Sequence, residues 1–201
     1  VKAVTRWLKM AVFRAIGRSD YARWTDDVNL ETWWEARTQK LAALVPKDTR
    51  VIEFGAGTRP LERCLDRSCT YVASDLVPRG PDTFVCDLNR RPLPDLEPLR
   101  PDVAVFAGVL EYVRDLPAVV AWLSRHVRYC AASYAVAQPR GLVHTVTTRA
   151  RRTYYGYMNS YTEKDLVAVF RRGGFACVKT DTWRDQRLFL FATTNVAEAC
   201  A

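Results

Sequence analysis

Two glycines at alternate positions close a short apolar run in VIEFGAG, residues 51–57, and one acid, Glu53, stands two places before the first of them. A buried strand ends this way when its backbone must turn tightly beside a ligand, because glycine accepts left-handed conformations and carries no Cβ. The Gly-Lys-Ser/Thr ending of a phosphate-binding P-loop is missing, and the third position of G-x-G-x-x-G is Pro60. Asp75 follows Gly55 by 20 residues at the end of a second strand-like run, YVASDL. A carboxylate there can accept hydrogen bonds from two ribose hydroxyls. Glu53 separates the remaining ligands: its charge opposes a diphosphate and suits an ammonium group. Its position disfavours a nicotinamide dinucleotide and favours a ribose joined to an amino acid.

S-adenosylmethionine has both parts, and at this point four motifs in order resemble those of class I S-adenosylmethionine-dependent methyltransferases of the small-molecule type. VIEFGAG resembles the first, YVASDL the second, FVCDLNRRPLP the third and DVAVFAGVLEYVRD the fourth, with the likeness covering about residues 30–194. The resemblance implies a Rossmann-like, doubly wound α/β fold: a mostly parallel seven-stranded sheet with an antiparallel C-terminal strand. It implies S-adenosylmethionine as cofactor and S-adenosylhomocysteine as product. Glu53 would hold the methionine amino end, and Gly55, Ala56 and Gly57 would approach the cofactor with their backbone. Asp75 and Leu76 would meet the ribose, and Asp87 and Leu88 the adenine. Ala107, Gly108 and Val109 would line the methionine end. Three departures stand out: Arg59 where a third glycine is frequent, Tyr112 where a histidine often follows Leu-Glu, and too few residues after Asp75 for a helical crossover.

Elements of suitable length surround these motifs. Residues 1–18 read as a basic amphipathic helix, with Val4, Leu8, Ala11 and Ala15 sharing a face with Trp7, opposite Lys2, Arg6 and Lys9. We take residues 1–29 as a helical extension and 30–201 as the methyltransferase domain. A second helix spans 30–45, stopped by Pro46. Strands are expected at 50–56, 70–76, 83–88, 102–110 and 127–137, with helices from Thr58 to about Asp66 and over 116–126. The basic, tyrosine-rich stretch 138–161 reads as a long connection, followed by a helix capped by Thr162 and stopped at Gly173-Gly174. ACVKTDTW and RLFLFATT close the chain as a hairpin.

Composition is that of an ordinary globular domain, with 49% hydrophobic and 26% charged residues, which excludes disordered and collagen-like classes. No apolar run reaches the roughly 18 residues of a membrane span. The basic interruptions in residues 1–18 argue against a signal peptide. Six cysteines without a CxxC pair, and only two histidines, make a metal site unexpected and suit reduced thiols in a cytoplasmic protein. The net charge of +8 is uneven: Lys and Arg against Asp and Glu number 10 to 6 in residues 1–50, 10 to 11 in 51–139 and 10 to 4 in 140–187.

Methyl transfer needs alignment of the reacting atoms, and a base only where the acceptor must lose a proton. His144 and Tyr112 are the catalytic candidates. Glu111, Tyr112, Tyr134, Arg140, His144 and Tyr155 are candidates for binding a small acceptor, with Tyr154 and Tyr157 beside them. Arg149, Arg151 and Arg152 join Arg140 as groups that would make that acceptor an anion. An RNA acceptor, and a non-catalytic subunit of the same fold, are the alternatives. The N-terminal helix could also rest on a membrane surface through Trp7 and its lysines.

Overall fold

The structure, a computed structural model, describes residues 2–16, 18–26, 34–138 and 142–199. Its strands are β1 (Arg50–Phe54), β2 (Thr70–Asp75), β3 (Phe84–Val85), β4 (Val103–Ala107), β5 (Tyr129–Tyr134), β6 (Phe175–Trp183) and β7 (Gln186–Thr193). They form one sheet in the order β3-β2-β1-β4-β5-β7-β6. β1 to β5 pair in parallel, while β7 pairs antiparallel with both β5 and β6. β7 alone therefore runs against the rest. The strand order reverses between β1 and β4, and in such sheets that reversal opens a crevice at the carboxyl ends of the strands.

The helices are α1 (Lys2–Ala15), α2 (Tyr21–Thr25), α3 (Glu35–Ala42), α4 (Pro60–Cys64), α5 (Leu116–Leu123), α6 (Leu142–Tyr155), α7 (Glu163–Arg172) and α8 (Thr194–Ala199). Successive residues of β1 and β4 face opposite ways, as the pleat requires. Ile52, Phe54, Ala104 and Phe106 enter a core completed by Leu116, Val120, Leu166 and Phe170 of α5 and α7. Val51, Val103 and Val105 enter a second core with Leu41 of α3 and Leu61 of α4. Each face of the central sheet is thus covered, which is why the strands read as continuous apolar runs. Phe170 stacks on Phe191 with ring centroids 3.8 Å apart, tying α7 to β7.

Several boundaries differ from the sequence expectation. The stretch 138–161, read as a long connection, contains the 14-residue helix α6. Its many β-branched residues lower helix propensity, and packing along α1 overrides that preference. Thr58 does not cap α4; Arg59 holds the cap position in the left-handed region (φ 58°), with Pro60 in the first turn. β3 has two residues rather than six. The β2–β3 connection is not a helix, and α2 reaches it instead: Arg79 donates to the carbonyls of Trp24 and Thr25 at 2.5 and 3.5 Å.

Candidate functional site

A cleft of about 400 Å³ opens at the carboxyl ends of β1, β2 and β4, at the reversal of strand order. Glu53, Gly55, Ala56, Gly57, Asp75, Leu76, Asp87, Leu88, Ala107, Gly108 and Val109 all line it. The pleat fixes the acid: Glu53 points to the same side of β1 as Val51, toward α3, and is 1% exposed. One of its oxygens accepts a 2.6 Å hydrogen bond from the Tyr71 hydroxyl. Burial pushes its carboxyl up to about 8, against the lowering effects of Tyr71 and Arg37.

The glycine turn is held by Asp75. One carboxylate oxygen accepts from the Gly57 N–H at 2.9 Å and the other from the Leu76 N–H at 2.7 Å. The end of β2 and the turn after β1 are therefore one unit. Gly55 has φ +72°, and a Cβ there would lie 2.6 Å from Val109 Cγ2. Only glycine allows both the turn and the approach of the segment after β4. On the far side, Arg59 forks onto Asp82 at 2.6 and 2.8 Å, so an ion pair anchors the turn where a third glycine was absent. Asp87 Oδ1 accepts from the Asn89 N–H at 2.8 Å, so part of this acid serves its own loop while the residue still faces the cleft.

Arg37 is a cleft residue that sequence reasoning missed. It lies on α3 on the face of Leu41 and Leu44, and the signal that could have found it is an arginine at a core-facing position of an amphipathic helix. Only 5% exposed, it donates from Nη2 to the Ala107 carbonyl at 3.0 Å and lies over the ring of Trp34. Its Nε is buried without a partner. Gly108, at φ +72°, makes room for it: a Cβ there would be 2.5 Å from Arg37 Nη1. Burial works against its charge, and Glu111 and Glu53 favour it.

The opposite wall is aromatic. Trp24 meets Tyr112 edge-on at 4.8 Å, Tyr112 meets Tyr157 at 5.3 Å, and Tyr155 lies 6.2 Å from Tyr157. All four line the cleft, with Arg23 and Arg151 among the lining charges. Glu111, 1% exposed, fixes Oε1 on the Ala135 N–H at 2.7 Å, while Oε2 is buried without a partner. Burial raises its carboxyl above the ordinary range.

Other candidates fall elsewhere. Tyr134 is fully buried and does not line the cleft; its hydroxyl donates to Asn159 Oδ1 and accepts from the Tyr161 N–H and from Arg152. Its place in β5 turns it into the α5–α7 side of the core, away from an acceptor. Arg152 is also buried, donating to the Ala135 and Asn159 carbonyls, and is no surface anion ligand of the cleft. Arg140 and the His144 side chain lie outside the described residues.

Residues 25–180 match the profile of a family described as a methyltransferase domain. No curated protein sequence matches the chain. Among solved structures, it resembles CalO1, a methyltransferase of calicheamicin biosynthesis in its S-adenosylhomocysteine-bound form, with 17% identity and a TM-score of 0.62. That match covers 83% of this chain and 56% of the other, so the chain spans little more than half the length of CalO1. It resembles the 1,6-didemethyltoxoflavin-N1-methyltransferase of Burkholderia thailandensis, with bound 1,6-didemethyltoxoflavin and S-adenosylhomocysteine, at 20% identity and a TM-score of 0.63, covering 92% and 88%. It also resembles human N-acetylserotonin methyltransferase in complex with S-adenosylmethionine, at 14% identity and a TM-score of 0.65, covering 90% and 58%. The family match spans more than half of the chain, and the structures above share its fold: the chain belongs to the methyltransferase domain family, in the class I fold of S-adenosylmethionine-dependent enzymes.

Proposed function

We propose that the chain transfers the methyl group of S-adenosylmethionine to an oxygen or nitrogen of a small, anionic acceptor with a planar ring. The observation that carries this reading is the joining of a buried acid, a glycine turn and a strand-end carboxylate in one cleft through the Asp75–Gly57 hydrogen bond. The residues fit the cofactor. Glu53 would take its amino group, Arg37 its carboxylate, Asp75 the ribose hydroxyls and Asp87 with Leu88 the adenine. The backbone from Gly55 to Gly57 leaves space for close approach. When bound, S-adenosylmethionine supplies a methyl group on a positively charged sulfur.

The chain's own residues then orient the acceptor and manage its proton. Trp24, Tyr112, Tyr155 and Tyr157 form a wall suited to stacking a flat ring. Arg23 and Arg151 supply positive charge at the same cleft. Glu111, an acceptor-binding candidate of the sequence, can also serve as a base: one oxygen is fixed and the other can receive a proton, and its raised affinity for protons suits a hydroxyl or amine acceptor. One of the methyltransferases of known structure above holds bound 1,6-didemethyltoxoflavin beside S-adenosylhomocysteine, and a small-molecule acceptor here is in keeping with that.

Calorimetric titration with S-adenosylmethionine, S-adenosylhomocysteine and NAD tests it. The first two bind and NAD does not. Asp75→Ala weakens both by about 1–3 kcal/mol, the cost of removing a buried hydrogen-bonding partner. Equal affinity in a folded Asp75→Ala protein would remove the assignment.

A further inference from the structure

The helix α1 packs with an unexpected face inward. Met10 is 2% exposed and sits against the α6 end at Gly156. Arg6 donates to the Tyr154 carbonyl at 3.2 Å, and Arg6 and Lys9 both reach the buried Asp20 at 3.4 Å. Polar anchors thus hold the inner side. The outer side carries Val4, Trp7, Leu8, Val12 and Ile16, which are 38–63% exposed. They recur at helical spacing and make a continuous apolar stripe about 18 Å long at 1.5 Å per residue. The sequence reading placed Val4, Trp7 and Leu8 on one face with Ala11 and Ala15; the structure exposes those three together with Val12 and Ile16. Five of the nine large hydrophobic side chains exposed among the described residues lie on it.

Beside it lies a groove of about 290 Å³ lined by Arg14, Arg149 and Arg152 with Gln138, Thr148, Ser160 and Thr162. No acid lines it. Arg152 is 5% exposed, hydrogen-bonds only neutral acceptors, and keeps a buried Nε without a partner. The Arg14 guanidinium is held below its ordinary value by burial and then by Arg149 and Arg152, a like-charge cluster that an anion would relieve. On the helical wheel Arg14 stands next to Trp7, so groove and stripe adjoin.

We propose that α1 and this arginine groove dock the protein on an anionic lipid surface, with the stripe entering the acyl boundary and a phosphate headgroup in the groove. Residues 1–19 contain Lys2, Arg6, Lys9, Arg14 and Arg18 and no acid. A second copy meeting the same face would set Arg14 and Arg149 against their own copies, whereas an anionic bilayer complements them. Trp7 is the residue type that settles at such a boundary.

Vesicle co-sedimentation of the full chain tests the proposal, using phosphatidylcholine alone and phosphatidylcholine mixed with phosphatidylglycerol. Binding is expected to the mixed vesicles, weakly or not at all to the neutral ones, and to fall with added salt. Arg14→Gln and Arg149→Gln each weaken it about fivefold, and Leu8→Glu with Val12→Glu abolishes it. These positions are exposed or at the groove rim, and unchanged unfolding midpoints verify folding. Equal binding to both vesicles, or none to either, overturns the proposal. So does a dimer in solution that ignores vesicles and is broken by Leu8→Glu with Val12→Glu, or salt-sensitive retention of RNA without vesicle binding.

Discussion

Glu53 carries opposing demands at the level of one side chain. Enclosed in β1, it keeps its proton until about pH 8, yet an ammonium group beside it needs the carboxylate. A carboxyl whose folded value is raised stabilises the fold below its unfolded value, and that contribution is lost as pH rises through the folded value. The unliganded protein therefore loses thermal stability between about pH 5 and 8, and Glu53→Gln flattens that loss in a melting series. Binding S-adenosylhomocysteine at pH 7 should release a proton from Glu53, so affinity rises from pH 6 to 8. Calorimetry in two buffers of different ionisation enthalpy reads the release directly, and its persistence in Glu53→Gln would exclude this contact. Arg37 gives a second prediction. Arg37→Met weakens S-adenosylhomocysteine at least tenfold but leaves 5′-methylthioadenosine, which lacks the carboxylate, unchanged. Equal losses for both ligands would make the arginine a packing residue only.

Elements position these side chains, and their ends were legible where chemistry marks them. Thr162 accepts from the Asp165 N–H at 3.2 Å and donates to the Asp165 carboxylate at 2.7 Å, closing a cap that three residues of sequence announce. Thr162→Ala should cost about 1 kcal/mol, read as a melting point lowered by about 2–4 °C. Where no cap or glycine marks an end, the elements shift. α6 hides in a threonine- and arginine-rich stretch because its stability comes from α1 rather than from local propensity. β3 shrinks to two residues, Phe84 and Val85, which pair with Ser74 and Asp75 at the end of β2.

At the scale of the whole molecule, the cleft depends on how β5 is tied to the segment between α6 and α7. The Tyr134 hydroxyl is the knot, joined to Asn159, the Tyr161 N–H and Arg152. Asn159 in turn donates to the carbonyls of Leu110 and Val113, which flank Glu111 and Tyr112. Tyr134→Phe leaves the Tyr161 N–H and Arg152 short of a buried partner and should cost about 1–3 kcal/mol. Measured by denaturant unfolding, that loss should come with nearly unchanged S-adenosylhomocysteine affinity, the pattern of a structural tyrosine rather than a substrate ligand.

The sequence by itself determined the sheet and the strand-end wall of the cleft. Both are written in local order: apolar runs that end in Gly55–Gly57, Asp75 and Asp87 place those groups at strand ends whatever packs around them. Only the tertiary structure decided the rest of the cleft. Arg37 and Trp24 escaped the sequence reading, and Glu111 and Tyr157, which were candidates there, come from segments far from both; the four meet through packing, which no spacing encodes. The same holds for α1, whose apolar face the sequence drew through Val4, Leu8, Ala11 and Ala15 beside Trp7. Whether it faced the core or the solvent depended on Asp20 and the Tyr154 carbonyl drawing the opposite, basic side inward. A pattern along one helix cannot encode a hydrogen bond to a residue 148 positions away.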